Sequence, residues 1–471
     1  MQGFILRLPK FRRLPVVPVR IGNETRRLPE DSAIARQGEV DKGSFLTRTE
    51  ITLQAAGDWL QRRQELIRRV QWGFVLMYYF LLIAPALLPQ PMNRAEIFST
   101  LAGFAEIVFW GIWWPGVILC MLLFGQFWCG VFCPDGTLTE WVSRHGRGGK
   151  IPAWVRWRGW PLLAFSVVVV YEHLLNAHQA PRAMLVSLGG ASLLALGCGY
   201  FFGRGKRVWC RYLCPVSSMF SLLARCAIFH FKVDRPTWDN APKPLPRGID
   251  CPPLLDVRRL RSNEKCSMCG RCSGHRNAVK LAARWPGREV VNMAPNEIRL
   301  FDAFAVCFVL IGLCYGALHG RSPGVVALLQ SGMPGLAIKN AFLAAALGMT
   351  LIAAWLGSFS ALLLLVAAQG RFRHALHLAY ALIPLAGLGL FSGALEHSFA
   401  LLAQAGFSVA EARSLVTGVC VASGGIWSFC IARQIIRNWS GRHYFAQGIF
   451  SILLAILGSA YFFVSAEILA L

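Results

Sequence analysis

Long apolar runs recur along the chain, separated by segments rich in arginine, glycine and proline. A run of about 20 apolar residues crosses the hydrocarbon core of a bilayer as a helix. Nine runs approach this length, and the predicted spans cover residues 70–88, 101–124, 160–175, 183–202, 301–318, 341–368, 376–402, 415–432 and 445–469. The pattern therefore predicts an all-α polytopic membrane protein with about nine transmembrane helices.

The polar segments divide the chain into four predicted regions. Residues 1–69 form a basic, partly disordered segment that ends in an amphipathic helix, Asp58 to Arg69, expected to lie on anionic lipid. Residues 70–228 form a four-helix membrane unit. Residues 229–298 form a soluble insert rich in proline and arginine, and residues 299–471 form a five-helix membrane region.

Composition supports this prediction and adds an orientation. Hydrophobic residues make up 55% of the 471 residues, only 15% are charged, and the net charge is +24. With the N-terminus in the cytoplasm, the arginine-rich loops all fall on the cytoplasmic side, as the positive-inside rule requires. The opposite loops carry few cations, namely Arg94, Arg182, Arg321, Lys339 and Arg413. We therefore expect a multi-pass protein of the bacterial inner membrane. Its environment is membrane lipid, and we expect no nucleic-acid partner because no basic recognition element accompanies the charge.

Two matching loops each follow an apolar run. Residues 127–134 read FWCGVFCP and residues 208–215 read VWCRYLCP, so each loop is C-x₃-C-P with a tryptophan before the first cysteine. The copies lie 81 positions apart and an even number of spans separates them, which predicts a parallel internal repeat. The repeat would bring four residues, the loop cysteines, to one membrane face: Cys129, Cys133, Cys210 and Cys214.

The spacing of the loop cysteines indicates iron–sulfur chemistry. C-x₃-C-P is the closing half of the bacterial ferredoxin run C-x₂-C-x₂-C-x₃-C-P, whose thiolates hold [4Fe–4S] clusters. Four thiolates complete one such cluster, so the loop cysteines are its predicted ligands. The alternatives are a structural zinc site, although zinc motifs more often use C-x₂-C, and no metal at all.

The soluble insert carries the opening half of the ferredoxin run, C-x₂-C-x₂-C, in a triad formed by Cys266, Cys269 and Cys272. Arg276 stands where the fourth cysteine would be. Cys251, which Pro252 follows, is the first candidate for the fourth ligand. His275 is the second, because imidazole replaces thiolate in Rieske centres, and an open iron site is the third. The insert is thus predicted to be ferredoxin-like and the chain to hold two [4Fe–4S] clusters.

Ionisable residues inside the spans are functional hypotheses because burying them in lipid is costly. They are Glu106, Glu172, His173, His319, Glu396 and His397. Histidines on facing helices can hold haem b, and a Glu–His pair can take protons from a quinol. These chemistries make quinone and haem b candidate cofactors. The alternative is that the side chains reach water at the outer interface.

The two loops, the phrase CRYLCP at residues 210–215 and the triad together resemble polyferredoxin-type 4Fe–4S membrane proteins, the NapH-, NosR- and CcoG-like family. The resemblance covers residues 70–280. It implies clusters at the inner face and electron transfer between quinol, or a cytoplasmic donor, and a partner redox protein. It also implies that the loop cysteines are paired cluster ligands and that the triad is part of one ferredoxin motif.

The sequence departs from that family pattern in two respects. The NapH-like pattern has two complete four-cysteine motifs after the last span, whereas this chain has one incomplete motif, and five further spans follow residue 300. The expected function is membrane-bound electron transfer, and an enzymatic role would be that of a quinol dehydrogenase-like oxidoreductase component. A transporter or metalloenzyme-maturation factor with structural or sensory clusters is the alternative. The pathway served stays open.

Overall fold

The computed structural model describes residues 44–88, 100–244, 246, 248–320, 322–331, 340–439 and 443–467. The chain separates into two compact units, Met1–Thr49 and Glu50–Leu471. The described part of the first unit is helical. Three predicted features lie outside the described residues: the basic segment before residue 44, the loop cations Arg94, Arg321 and Lys339, and the end of the ninth span.

Helices dominate the first half of the described chain. They are α1 (Ser44–Arg62), α2 (Gln64–Leu87), α3 (Leu101–Phe124), α4 (Phe127–Val131), α5 (Pro134–His145), α6 (Trp160–Leu174), α7 (Pro181–Phe201), α8 (Val208–Tyr212) and α9 (Ser217–Ala224). Two of these helices contain a π-helical segment, Ile107–Trp113 in α3 and Leu185–Gly189 in α7. A short 3₁₀ turn, Ala177–Gln179, precedes α7.

The second half begins with the insert and ends in long helices. Its elements are β1 (Phe229–Val233), α10 (Arg235–Asp239), β2 (Val279–Ala283), α11 (Arg288–Val291), α12 (Leu300–His319), α13 (Pro323–Ser331), α14 (Ala341–Ala367), α15 (Phe372–Gln404), α16 (Ala410–Arg437) and α17 (His443–Glu467). A π-helical segment, Ala305–Leu313, lies in α12 and a 3₁₀ turn, Tyr380–Leu382, lies in α15. Two further 3₁₀ turns, Val257–Arg259 and His275–Asn277, lie in the insert.

The described residues confirm an all-α polytopic membrane fold. Eight helices are long and apolar enough to cross a bilayer: α2, α3, α7, α12, α14, α15, α16 and α17. Helix α6 is a shorter apolar helix of 15 residues. The predicted amphipathic helix from Asp58 to Arg69 is not a separate element, because its two parts continue α1 and α2 on either side of Arg63. Helix α13 was not predicted.

The insert has its own small core. Strands β1 and β2 pair antiparallel, with Phe229 opposite Ala283 and Val233 opposite Val279. Phe231 of β1 and Leu281 of β2 form a buried cluster with Met268. The ribbon joins the two ends of the insert, so the cysteines between its strands are held close to the membrane helices.

Small residues let the C-terminal helices approach closely. A Cβ atom at Gly316 of α12 would lie 2.3 Å from the carbonyl oxygen of Met349 in α14, and one at Gly312 would lie 2.5 Å from that of Ala353. Close backbone approach of this kind is typical of membrane helix packing. The main buried core extends from these helices to α3 and α9, which lead into and out of the two loops.

Candidate functional site

The two C-x₃-C-P loops share one backbone conformation. Helices α4 and α8 carry the first cysteine of each loop, and the residues that follow them have nearly equal backbone angles, Phe132 (φ −120°, ψ −19°) and Leu213 (φ −121°, ψ −25°). The second cysteine then donates its N–H to the carbonyl oxygen of the tryptophan, from Cys133 at 3.0 Å in the first loop and from Cys214 at 2.9 Å in the second. The sequence repeat is therefore also a structural repeat.

All four loop cysteines line one cavity of about 700 Å³, the loop cavity. Burial raises the pKa of Cys129, and the neighbouring thiols of Cys133, Cys214 and Cys210 raise it further. Burial likewise raises the pKa of Cys133 to about 11, although the N–H of Gly136, which donates to its Sγ at 3.4 Å, lowers it. Thiols this close to one another can all be deprotonated only when a bound positive charge stabilises the thiolates.

The loop cavity also collects buried hydrogen-bond donors without partners among the described residues. They are Arg207 Nη2, Trp209 Nε1, Ser217 Oγ and Ser267 Oγ, and all four residues line the cavity. Unsatisfied buried donors are rare in native proteins and call for an explanation. A cluster with four thiolates is an anionic body whose sulfurs accept hydrogen bonds. The donor set therefore fits an iron–sulfur cluster.

Arg207 is the charged centre of the site. Its side chain is almost fully buried, its Nε donates to Glu140 Oε2 at 2.8 Å, and its Nη1 donates to the carbonyl oxygen of Cys129 at 2.6 Å. Burial alone would lower the pKa of Arg207, but Glu140, Cys210 and Cys269 hold it above its ordinary value. Cys210 is a loop cysteine and Cys269 belongs to the triad, so Arg207 lies between the two cysteine groups.

Cys251 and the triad line a second, smaller cavity inside the insert, and we call these four residues the insert cysteines. Burial raises the pKa of Cys272, and Cys266, Cys269 and Cys251 raise it further. The ring of His275 instead packs on Trp238, with 5.0 Å between ring centroids, and does not line this cavity. Of the alternatives for the fourth ligand, the structure places Cys251 beside the triad.

The first loop touches the triad directly. A Cβ atom at Gly130 would lie 2.0 Å from the carbonyl oxygen of Ser267 and 3.0 Å from the nitrogen of Cys269. Gln71 donates to the carbonyl oxygen of Gly130 at 2.8 Å, and Gln64 donates to that of Cys269 at 2.9 Å. Helix α2 thus donates hydrogen bonds to both sides of the contact.

Glu140 joins the two groups electrostatically. Its carboxylate pairs with Arg207 on one side and with Arg271, which lies within the triad, at 2.7 Å on the other. Arg144 adds a third ion pair at 2.7 Å. Burial alone would raise the pKa of Glu140, but Arg207 and Arg271 lower it to about 2. The carboxylate therefore stays ionised and holds the insert on the membrane loops.

The described cysteines are free thiols, and no three described His, Cys, Asp or Glu side chains are placed to hold a single metal ion. A tetrahedral zinc site needs its ligands around one ion. A [4Fe–4S] cluster has a different requirement, because its four thiolates bind four different irons.

The loop cavity continues from the loop cysteines into the membrane helices. Its far part contains four of the predicted ionisable residues, namely Glu172, His173, Glu396 and His397, together with His178. The distance from His397 Nε2 to Glu106 Oε1 is 3.1 Å, and the distance from Arg413 Nε to Glu396 Oε2 is 2.6 Å. His319 does not line the cavity and stacks on Tyr315 instead.

Sequence reasoning missed several residues of this site. Arg207 resembled the other arginines of a positive-inside loop, and Gly130 was only one of the three residues between two cysteines. Glu140 offered one weak signal, since it is an acidic residue in a strongly basic stretch. His178 was missed because it lies outside the predicted spans.

Two segments of the chain match a known family of iron–sulfur domains. Residues 107–152 and 188–236, which contain the loop cysteines, match the family model of a 4Fe–4S binding domain. The Regulatory protein NosR of Pseudomonas aeruginosa is 26% identical over 182 residues, covering 34% of this chain and 25% of that protein. Protein NirI of Paracoccus denitrificans is 26% identical over 181 residues, covering 34% and 26%. This chain thus spans about a quarter of the length of these relatives.

No solved structure matches the chain. The predicted resemblance to 4Fe–4S membrane proteins of the NosR type is confirmed by the domain match and the two relatives.

Proposed function

We propose that this iron–sulfur membrane protein holds two [4Fe–4S] clusters and relays electrons between quinol and a partner redox protein. The loop cysteines would hold one cluster and the insert cysteines the other. The observation that carries the proposal is the direct contact of the two groups, in which Gly130 of the first loop packs on Ser267 beside Cys266. Electron tunnelling requires such proximity.

The residues around both cavities suit this role. When bound, the clusters supply one-electron transfer at potentials that depend on charge and on hydrogen bonds to sulfur. Arg207 places a buried positive charge beside Cys129, Cys210 and Cys269, where it favours the more negative, reduced form on either side. Glu140 holds Arg207 in place.

The far part of the loop cavity supports quinol as the donor. The loop cavity as a whole is lined by the aromatic residues Trp110, Trp113 and Phe165, which suit an aromatic head group. His397 and Glu106 form a pair that can accept a proton as electrons leave the quinol. Quinol is thereby preferred to a cytoplasmic donor, and haem b is not part of this proposal.

The orientation follows from charge. The cysteine loops and the insert carry the arginine-rich segments, so the proposal places this face, and the N-terminus, in the cytoplasm of a bacterium with the chain in the inner membrane. A partner protein would complete the reaction, as a component of a quinol dehydrogenase-like system.

Metal and sulfide analysis of anaerobically purified full-length protein, combined with EPR, tests the proposal. We expect about eight iron and eight sulfide per chain, zinc below stoichiometry, and reduced-cluster signals with dithionite. A soluble quinol analogue should also reduce part of the iron. Zinc without sulfide would refute the electron-relay function, and clusters that no quinol analogue reduces would refute the assigned donor.

A further inference from the structure

A second large cavity, the basic pocket, has no part in the proposed electron relay. Its volume is about 510 Å³ and it lies where the insert meets the first turns of α6 and α12. Eight cationic side chains line it against four acidic ones. The cations are Arg156, Arg158, Arg211, Arg225, Arg259, Arg261, Lys265 and Arg299. Such an excess of positive charge around one space predicts an anionic ligand.

Ion pairs within the protein satisfy only part of this charge. Glu264 pairs with Arg225 at 2.7 Å and with Arg299 at 3.0 Å. Burial alone would raise the pKa of Glu264, but these two arginines hold it below its ordinary value. Among the described residues, Arg156, Arg261 and Lys265 form no ion pair within 4 Å, and all three line the pocket.

One residue that lines the pocket, Arg225, has a buried donor without a partner among the described residues. The side chain of Arg225 is only 1% exposed, and its Nε has no hydrogen-bond partner among the described residues, although its two Nη atoms bind carboxylates. A guanidinium buried to this degree normally uses its donors. An acceptor atom of a bound ligand would complete its hydrogen bonding.

The walls of the basic pocket are apolar on the side of the membrane helices. Pro161 of α6, Leu222 of α9, and Phe301 and Ala305 of α12 line it there. Leu163 of α6 and Phe304 of α12 are exposed large hydrophobic residues on the same two helices. A ligand that matches both sides has an anionic head and an apolar tail.

We propose that the basic pocket binds the phosphate group of an anionic phospholipid, with its acyl chains lying along α6 and α12. Basic pockets between membrane helices on the cytoplasmic side are suited to such head groups. A phospholipid and a free phosphate ion both offer anionic oxygen atoms as hydrogen-bond acceptors. The apolar wall favours the phospholipid, because only the lipid has acyl chains that can cover it. This inference does not depend on the identity of the clusters.

Native mass spectrometry of the full-length, delipidated protein in detergent tests the proposal with three probes: short-chain phosphatidylglycerol, short-chain phosphatidylcholine and inorganic phosphate. The test variant is R156Q/R261Q, which removes two exposed pocket cations that form no ion pair. The matched control is K280Q/R288Q, which removes two exposed cations outside the pocket. Both variants change the net charge equally.

We expect one phosphatidylglycerol per chain to bind the wild type and the control equally, and to bind R156Q/R261Q at least about tenfold more weakly. Phosphatidylcholine should bind more weakly than phosphatidylglycerol, and millimolar phosphate should not displace the lipid. Equal phosphatidylglycerol binding by both variants would overturn the site. Phosphate binding that excludes the lipid would overturn the phospholipid as the ligand. Unchanged iron content shows that the test variant folds.

Discussion

Arg207 and Glu140 form a buried ion pair, with 2.8 Å between Nε and Oε2, at the junction of the loop cysteines and the insert cysteines. The same carboxylate binds Arg271 of the triad, so a single acidic side chain connects the two groups. A buried pair of this kind is weak evidence for stability, because desolvation opposes the attraction. Its position indicates a role in tuning the potentials of the proposed clusters and in aligning the insert with the membrane loops.

The first prediction concerns the potentials of the proposed clusters. Arg207→Gln removes a buried positive charge that stabilises the reduced form of the proposed cluster in each cysteine group. We expect at least one cluster potential to fall by about 60 mV or more, which is a tenfold change for a one-electron couple. Redox titration monitored by EPR measures the shift.

Arg144→Gln is the matched control for this prediction, because Arg144 pairs with the same Glu140 and its side chain is 42% exposed. Its effect should be much smaller, since water screens exposed charges. Equal shifts in the two variants, or none, would contradict the tuning role of Arg207.

The second prediction concerns the contact of the first loop with the triad. Gly130→Ala would place a Cβ atom 2.0 Å from the carbonyl oxygen of Ser267, and backbone atoms cannot yield as a flexible side chain can. We expect a loss of about 1–3 kcal/mol in the free energy of unfolding, the usual cost of overpacking. Thermal unfolding in detergent should show a lower midpoint.

Gly190→Ala in α7 is the control, because its Cβ atom would meet nothing within 4 Å. Alanine is the better helix former, so this variant should be neutral or slightly stabilised. If Gly130→Ala unfolds at the same temperature as the wild type, the loop and the triad do not pack as described.

Local sequence was sufficient to predict the spans and the cysteine loops, because each depends on a short pattern. The apolar runs that form α3 and α7 are long and contain few polar residues, and the C-x₃-C-P spacing fixes how Cys129 and Cys133 lie relative to each other. The resemblance to a known family added the expected chemistry.

The contacts between the two cysteine groups could not be predicted in this way. Arg207 and Glu140 are 67 positions apart, and Gly130 meets residues more than 130 positions away. Hydrophobic periodicity carries no information about such pairings. Cys251 was a candidate because a proline follows it and because it lies in the same insert, and tertiary structure brings it to the triad.

The third prediction distinguishes the alternatives for the fourth insert ligand. Cys251→Ala removes a thiol that lines the insert cavity, so the proposed cluster there loses one of four ligands. We expect iron and sulfide to fall by about half, with the EPR signal of the loop cluster retained. His275→Ala serves as the comparison, since its ring packs on Trp238 outside that cavity, and should keep the full iron content. The reverse pattern would identify histidine as the ligand.

The fourth prediction tests the route by which electrons enter. His397 lines the far part of the loop cavity and lies 3.1 Å from Glu106, where the pair can accept a proton from quinol. His397→Gln keeps a polar side chain of similar size and removes the basic ring nitrogen. We expect cluster reduction by a quinol analogue to slow at least about a hundredfold, the scale of general base catalysis.

Reduction of the His397→Gln variant by dithionite should be unchanged, because the clusters themselves are not altered. His319→Gln is the matched control, since His319 lies outside the loop cavity and stacks on Tyr315. Stopped-flow absorbance of the clusters separates the two reductants. If both histidine variants accept electrons from the quinol analogue at the wild-type rate, His397 is not the base that takes the proton, and quinol is not oxidised at the pair of His397 and Glu106.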